Sequence, residues 1–484
     1  MHNKNTMGKN AALNGIKTAC SILFPFISFS YCSRVLGSNG LGSYSFCQSI
    51  IAYLSLIASL GIPSYAIREG AFVRRDKKQL NNFIAQVFTI NCIMTLVSYF
   101  ILFLLILIWP KLSGYQYILL IQSIQIMLTT LGADWINSIF EDYLYLAVRY
   151  IVIQLIAIVA LIIFVKSPTD IYIYTFISMM SNAGGNILNW SFLKKKGIHL
   201  KLTFHINIKK HFMPIFILFF NCVASTIYLN SDITMLGMYS TDSVVGVYTV
   251  SSKIYSMIKS LLTSVIMVTL PRFSAYIAEK KDKEYKNTLS VVQDILILFT
   301  LPTTVGLFLE ADKILNLVGG YEYLSGAVVV RILAVAIPFA TEACFFTYSI
   351  LMPNRQENKF LISTVAAALL NIGLNILLMP RYGMNAAAFT TLVAEIVVVI
   401  VTVYYSLKII RFGIKKITIL QTFIGCICVI LVCYLLDETQ FSDDLKLIFE
   451  VILGALVYFS ALVLTRCSYI INALNKMKSE FLNK

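Results

Sequence analysis

Long apolar runs alternate with short polar segments along nearly the whole chain. A helix needs about 20 apolar residues to cross a bilayer hydrocarbon core of about 30 Å, and fourteen runs reach or approach that length. We therefore predict an all-α integral membrane protein. Its predicted spans cover residues 11–35, 41–62, 82–109, 115–137, 147–166, 169–192, 212–237, 243–270, 288–309, 324–352, 358–379, 383–409, 417–436 and 446–468.

The basic residues are divided unequally between the two sides of these spans. With the N-terminus placed in the cytoplasm, 30 of the 39 Lys and Arg residues fall on the cytoplasmic side, as the positive-inside rule requires. A missed or extra span would break this alternation, so we predict fourteen spans with both termini cytoplasmic. Six basic residues fall on the outer side: Arg34, Lys111, Lys166, Lys313, Arg381 and Lys446.

Composition agrees with a membrane protein and excludes other classes. The 484 residues are 58% hydrophobic and 13% charged, whereas a soluble domain carries about 25% charged residues. The net charge of +15 lies in short loops with no basic domain, so we expect no nucleic-acid partner. The ten cysteines lie in or at the ends of apolar runs, which predicts neither a disulfide framework nor a metal site.

Two copies of one motif indicate an internal repeat. Each copy has Leu-Gly at the end of one span and Gly-x-Tyr at the start of the next: Leu36-Gly37 with Gly42 and Tyr44, and Leu236-Gly237 with Gly246 and Tyr248. The offset of about 200 residues contains six spans, so the copies have the same orientation across the membrane, as in parallel transporter repeats. We predict six-helix bundles at 1–211 and 212–410, with two further helices and a cytoplasmic tail at 411–484.

Several motifs in order resemble one known family. They are "SRVLGSNGLGSYSF" (33–46), "GIPSYAIREG" (61–70), "ADWINSIFEDY" (133–143), "SDITMLG" (231–237), "VGVYTVSSKI" (245–254), "PRFSAY" (271–276) and "NIGLNILLMPRYGMNAAAFTT" (371–391). Their order and spacing resemble the polysaccharide transporter family, the O-antigen and capsular repeat-unit flippases of the multidrug/oligosaccharidyl-lipid/polysaccharide exporter superfamily. The third motif departs from the family pattern, because Ile136 and Ser138 replace an aromatic residue and a glycine.

The resemblance implies a flippase of the bacterial cytoplasmic (inner) membrane. Its expected cargo is a polyprenyl-diphosphate-linked oligosaccharide, moved from the inner to the outer leaflet by alternating access for O-antigen or capsule synthesis. The expected partners are this lipid-linked oligosaccharide, the bilayer, and polysaccharide polymerase and assembly proteins. The alternatives are a multidrug cation antiporter of the same superfamily, a flippase for lipid II or a teichoic-acid precursor, and a scaffold that transports nothing.

Charged residues inside the predicted spans are the candidate site. A charge in hydrocarbon costs at least about 2.5 kcal/mol, so such residues face a bundle interior or a wet cavity. Asp232 and Lys253 lie at matching depth on the seventh and eighth spans, either as a structural ion pair or as part of a cargo cavity. On the tenth span, Arg331 and Glu342 are eleven residues apart, on one helix face that also contains Pro338. This face suits a transport path with a hinge, or packing against polar neighbours.

Glu395, Lys259 and Arg34 complete the predicted site. Glu395 lies near the middle of the twelfth span, either as a proton site or as a buried neutral acid. Lys253, Lys259, Arg331 and Arg34 are the candidates to offset the charge of a diphosphate. Asp134 and Asp294 lie near cytoplasmic helix ends, where we expect both carboxylates to be solvated.

The sequence offers no catalytic motif. It contains no P-loop, its four histidines fit no metal-ligand spacing, and no loop is long enough for an extramembrane catalytic domain. We therefore expect a transporter without a cofactor, and not an enzyme.

Overall fold

The computed structural model describes residues 4–198, 200–413, 415–472 and 475, and these residues form helices joined by short turns. The chain divides into two compact units, Met1–Gly246 and Val247–Lys484. The boundary falls inside one long helix, so that helix contributes its first turn to the first unit. The predicted bundle limits after residues 211 and 410 stay a prediction.

The first unit contains nine complete helices within its described residues. They are α1 (Lys4–Ser59), α2 (Ile62–Val73), α3 (Lys77–Ile108), α4 (Gln116–Gly132), α5 (Trp135–Ile139), α6 (Tyr143–Phe164), α7 (Ile171–Met179), α8 (Asn186–Lys195) and α9 (Ile208–Tyr239). A π-helical turn at Met180–Gly184 joins α7 to α8. The next helix, α10 (Asp242–Ala278), crosses the unit boundary.

The second unit contains the rest of α10 and six further helices within its described residues. They are α11 (Asp282–Leu309), α12 (Ala311–Gly319), α13 (Ala327–Phe346), α14 (Glu357–Ile409), α15 (Lys416–Asp437) and α16 (Asp443–Leu464). Pro338 lies inside α13, and the helix continues past it. The predicted hinge is therefore a proline within a continuous helix.

The helices confirm the predicted class of a multi-span helical membrane protein. Among the described residues, eleven segments are long and apolar enough to cross a membrane. One of them, Glu357–Ile409, contains two predicted spans in succession, and another, Phe24–Val73, contains the end of the first predicted span and all of the second. The predicted span 169–192 is not among the eleven, and it comprises α7, the π-helical turn and α8. All fourteen predicted spans thus correspond to helical segments.

Glycine explains why two pairs of spans have no loop between them. In α1 the helix bends at Gly37, with φ 68° and ψ 177°. In α14 it bends at Gly383, with φ 54° and ψ −130°. Positive φ is accessible to glycine at little steric cost. A single glycine therefore produces each bend, and no loop separates the two spans.

The last two helices of the second unit are attached to α11 at several depths. Tyr458 Oη on α16 donates to the carbonyl oxygen of Leu298 at 2.6 Å. Nearer the predicted cytoplasmic end, Tyr469 Oη donates to Asp294 Oδ2 at 2.6 Å. Asp294 is fully buried, so the expectation of a solvated carboxylate is wrong there. The segment that follows α16 covers it and supplies the hydrogen-bond donor that a buried carboxylate needs.

Candidate functional site

The two copies of the repeated motif contact each other directly. A Cβ atom added at Gly42 would overlap the backbone carbonyl of Asp242, and one added at Gly246 would overlap the carbonyl of Ser38. In each motif, the carbonyl that is contacted belongs to the residue four positions before that motif's own glycine. The contact is therefore reciprocal, because each motif supplies one glycine and one backbone carbonyl. The contact lies on the side predicted to be outside.

Polar side chains close around this glycine contact. Ser38 Oγ and Ser243 Oγ are 2.8 Å apart. Asp242 accepts from Ser43 Oγ and from Tyr115 Oη, both at 2.7 Å. The two serine bonds join α1 near its bend to the first turn of α10, and the tyrosine bond adds the short helical turn Pro110–Tyr115. The contact therefore combines close backbone packing with directed bonds.

Replacing Gly42 with alanine should destabilise this contact. An alanine gains about 1 kcal/mol of helix propensity, but its Cβ overlaps a backbone atom that cannot rotate away, and overpacking costs about 1–3 kcal/mol or more. We expect a lower unfolding temperature for purified Gly42→Ala. Gly373→Ala is the matched control, because its Cβ would have no neighbour within 4 Å and should not destabilise. Equal unfolding temperatures for both variants would contradict the close packing.

The structure brings two of the predicted residues together in the second unit. Lys259 on α10 forms an ion pair with Glu395 on α14, and Tyr255 Oη donates to the same Glu395 oxygen at 2.8 Å. The Glu395 side chain is 4% exposed, whereas that of Lys259 is 28% exposed. The acid is thus enclosed, and the ammonium group is its accessible end.

Arg331 and Glu342 point from one face of α13 toward α11 and α12. Arg331 forms an ion pair with Asp312 and donates from Nε to the carbonyl of Phe308 at 3.3 Å. Glu342 accepts from Gln293 Nε2 at 3.0 Å. The predicted shared face is therefore present, but each charged residue has its own partner on the neighbouring helices. Arg331 is 34% exposed and remains accessible beside Asp312.

The other predicted residues differ in burial. Asp232 is 8% exposed, Lys253 is partly buried, and Arg34 is exposed. Asp232 belongs to the first unit and Lys253 to the second, so their pairing stays a prediction. In α14, Asn375 donates to Asn371 Oδ1 at 3.1 Å and accepts from Thr390 Oγ1 at 2.6 Å, which satisfies buried amides across the bend at Gly383.

Two ion-pair sites were missed in the sequence. The near-buried Arg149 binds both carboxylate oxygens of Asp134, so Asp134 is paired as well as partly solvated. Lys313, interpreted from the sequence only as a marker of the outer side, is surrounded by Glu310, Asp437 and Glu450. The available signal was Glu450 itself, an acid within the apolar run of the last span.

The carboxylates determine the charge of Lys313. Burial of the ammonium group lowers the pKa of Lys313, but its hydrogen bonds to three carboxylates outweigh burial and raise that pKa well above its ordinary value. The lysine is therefore a permanent cation in this cluster.

Comparisons with known proteins agree with the fold. The model of a family described as "Polysaccharide biosynthesis protein" matches residues 7–277. A "Putative O-antigen transporter" of Escherichia coli (strain K12) is 21% identical over 401 residues, covering 82% of this chain and 95% of the relative. The structure of a lipid II flippase in an inward closed conformation superposes with a TM-score of 0.75 at 19% identity, covering 94% of this chain and 98% of the other. That of a multidrug resistance transporter gives 0.59 at 15% identity, covering 80% and 93%.

Proposed function

Since the chain belongs to the polysaccharide biosynthesis protein family, we propose that it is a flippase for lipid-linked oligosaccharides. It would move a polyprenyl-diphosphate-linked repeat unit from the inner to the outer leaflet of the cytoplasmic membrane, for synthesis of O-antigen or capsule. The family match confirms the resemblance of the sequence motifs. The Escherichia coli relative, whose name denotes an O-antigen transporter, supports this class of cargo.

The observation that carries the proposal is the accessible ammonium group of Lys259. It lies about 24 Å along the helix from the first turn of α10, at 1.5 Å per residue, well inside an apolar span. A charge that is 28% exposed there cannot face hydrocarbon without a large penalty. It therefore faces a wet interior, where a lysine can contact a diphosphate as a point charge.

Alternating access would move the cargo past this lysine. The contact between Gly42 and Gly246 lies on the side predicted to be outside, and in this proposal its opening would release the cargo there. The glycan would cross the polar interior while the lipid tail stays in hydrocarbon. Arg331, Arg34 and Lys253 are the further candidates to offset the diphosphate charge.

The membrane potential could drive this step. A cargo with about two negative charges that leaves an interior at about −100 mV gains at most 4–5 kcal/mol, from about 2.3 kcal/mol per charge. No ATP-hydrolysing site is needed on this account. Proton coupling through Glu342 or Glu395 would instead make transport depend on the pH gradient at constant potential.

The leaflet of the lipid-linked repeat unit tests the proposal. We expect cells lacking the protein to keep radiolabelled repeat units on the inner leaflet, with a drop of more than about tenfold in the fraction cleaved by a membrane-impermeant glycosidase. Expression of the wild-type chain should restore cleavage, whereas the exposure of lipid II should be unaffected throughout.

Two results would decide against this cargo. Repeat units that still reach the outer leaflet in cells lacking the protein would contradict the proposal. Loss of lipid II exposure, with repeat units unaffected, would support the peptidoglycan-precursor alternative.

A further inference from the structure

One lysine in the second unit is contacted by three carboxylates from three different helical regions. Lys313 Nζ on α12 is 2.8 Å from Glu310 Oε2, 2.6 Å from Asp437 Oδ1 and 2.5 Å from Glu450 Oε1. Glu310 follows the end of α11, Asp437 is the last residue of α15, and Glu450 lies in the second turn of α16. We call these four residues the Lys313 cluster.

The charges of the Lys313 cluster do not balance. The carboxylate of Asp437 is 54% exposed and is solvated by water. The side chains of Glu310 and Glu450 are 7% and 1% exposed, so water cannot stabilise two negative charges there. One ammonium group neutralises only one of them. An uncompensated buried charge costs several kcal/mol, and buried groups avoid that penalty by taking up a proton.

The geometry between the two buried acids identifies where a proton would lie. Glu310 Oε2 and Glu450 Oε1 both contact Lys313 Nζ, at 2.8 Å and 2.5 Å, so the two carboxyl groups converge on one ammonium group. Two ionised carboxylates are both acceptors and repel each other, so a hydrogen bond between them requires a proton. Glu450 Oε2 is buried and has no hydrogen-bond partner among the described residues. A single proton would supply the missing donor and remove the excess charge in one step.

We propose that the Lys313 cluster is a proton-binding site in which Glu310 and Glu450 share one proton. The ammonium nitrogen of Lys313 occupies the centre of the three carboxylates, where a metal ion would have to lie, so a proton is the ligand that fits. The pattern is that of two carboxyl groups that cannot both ionise at close range.

The surrounding titratable groups do not supply an alternative donor. The Cys433 thiol on α15 is free and buried, and a thiol is a weak donor. Lys446 donates from Nζ to the backbone carbonyl of Asp437 at 2.9 Å. Asp312 is paired with Arg331. The remaining negative charge of the two buried acids is therefore left to the proton.

The bound proton has a structural consequence that does not depend on the cargo. The Lys313 cluster joins α11 and α12 to α15 and α16 at the side predicted to be outside. Deprotonation would place two buried carboxylates in mutual repulsion within this junction. The attachment of the last two helices would then weaken as the pH on the outer side rises.

Infrared spectroscopy of the full-length protein in lipid bilayers tests the site directly. At neutral pH the wild type should show the C=O stretch of a protonated carboxylic acid that is absent in Glu310→Gln and equally absent in Glu450→Gln. The Glu310→Gln/Glu450→Gln double variant should lose no more absorbance than either single variant, because the pair holds one proton. Asp437→Asn is the matched control and should keep the band.

Stability against pH provides a second measurement. The unfolded chain releases this proton above the ordinary glutamate pKa of about 4.3, whereas the folded protein holds it to higher pH. The free energy of unfolding should therefore fall as pH rises from about 5, and should stop falling once the folded site has also lost its proton. In Glu450→Gln the amide replaces the proton as donor, so its unfolding temperature should change less than half as much. A band of equal intensity in the wild type and both single variants would overturn the proposal. So would additive losses in the double variant, or identical pH profiles.

Discussion

A disulfide between cysteines at positions 38 and 243 is expected to abolish transport, and a reducing agent should restore it. The Oγ atoms of Ser38 and Ser243 are 2.8 Å apart, and the backbone of Ser38 packs against Gly246. A Ser38→Cys/Ser243→Cys pair is therefore close enough to form a bond of about 2.05 Å after small adjustments. In the proposed alternating-access cycle this contact opens to release the cargo, so a covalent bond across it should stop that cycle.

The measurement is the fraction of lipid-linked repeat units exposed on the outer leaflet, before and after oxidation. Peptide mass spectrometry should establish that the crosslink has formed. Thr95→Cys/Thr130→Cys is the matched control, since those hydroxyl oxygens are 2.7 Å apart between α3 and α4. These two helices belong to the same predicted bundle and need not separate. Unchanged transport in the fully crosslinked Ser38→Cys/Ser243→Cys protein would mean that the contact stays closed throughout the cycle.

The membrane-spanning helices could be predicted because the bilayer dictates their length and composition. Backbone groups in hydrocarbon must bond within the helix, so each run found by hydropathy corresponds to a helical segment of the structure. The Gly-x-Tyr repeat also predicted which segments are equivalent. It did not predict that Gly42 and Gly246 contact each other, because the spacing of two motifs along a chain does not show whether they meet in the folded protein.

The candidate charges were recognisable, but their partners were not. Lys259 and Glu395 were both identified as intramembrane charges, yet 136 residues separate them, and a single sequence does not pair them. Asp294 was expected to be solvated because it lies near a predicted helix end. Its burial depends on Tyr469, in a segment beyond the last span that hydropathy could only describe as a tail.

The strongest test of the proposed cargo path distinguishes two roles of Lys259. The lysine can act as the counter-ion of Glu395, or it can also bind the cargo. Lys259→Ala leaves Glu395 enclosed without its cation, and breaking a buried pair in this way costs about 3–5 kcal/mol unless the acid takes up a proton. We expect lower abundance in the membrane and a drop in outer-leaflet repeat units of more than about tenfold. Lys408→Ala is the control for loss of a lysine, because Lys408 is exposed and bonds to Tyr404 on its own helix.

The double variant Lys259→Ala/Glu395→Gln decides between the two roles. Its amide is neutral and can still accept from Tyr255, so the buried charge that destabilised the single variant is gone and abundance should recover. Transport should not recover, because the cation proposed to contact the diphosphate is still missing. Recovery of both abundance and transport would contradict the cargo role and reduce Lys259 to a counter-ion for Glu395. A flippase would then need its accessible positive charge elsewhere, at Arg331, Arg34 or Lys253, and the same assay on each would identify it.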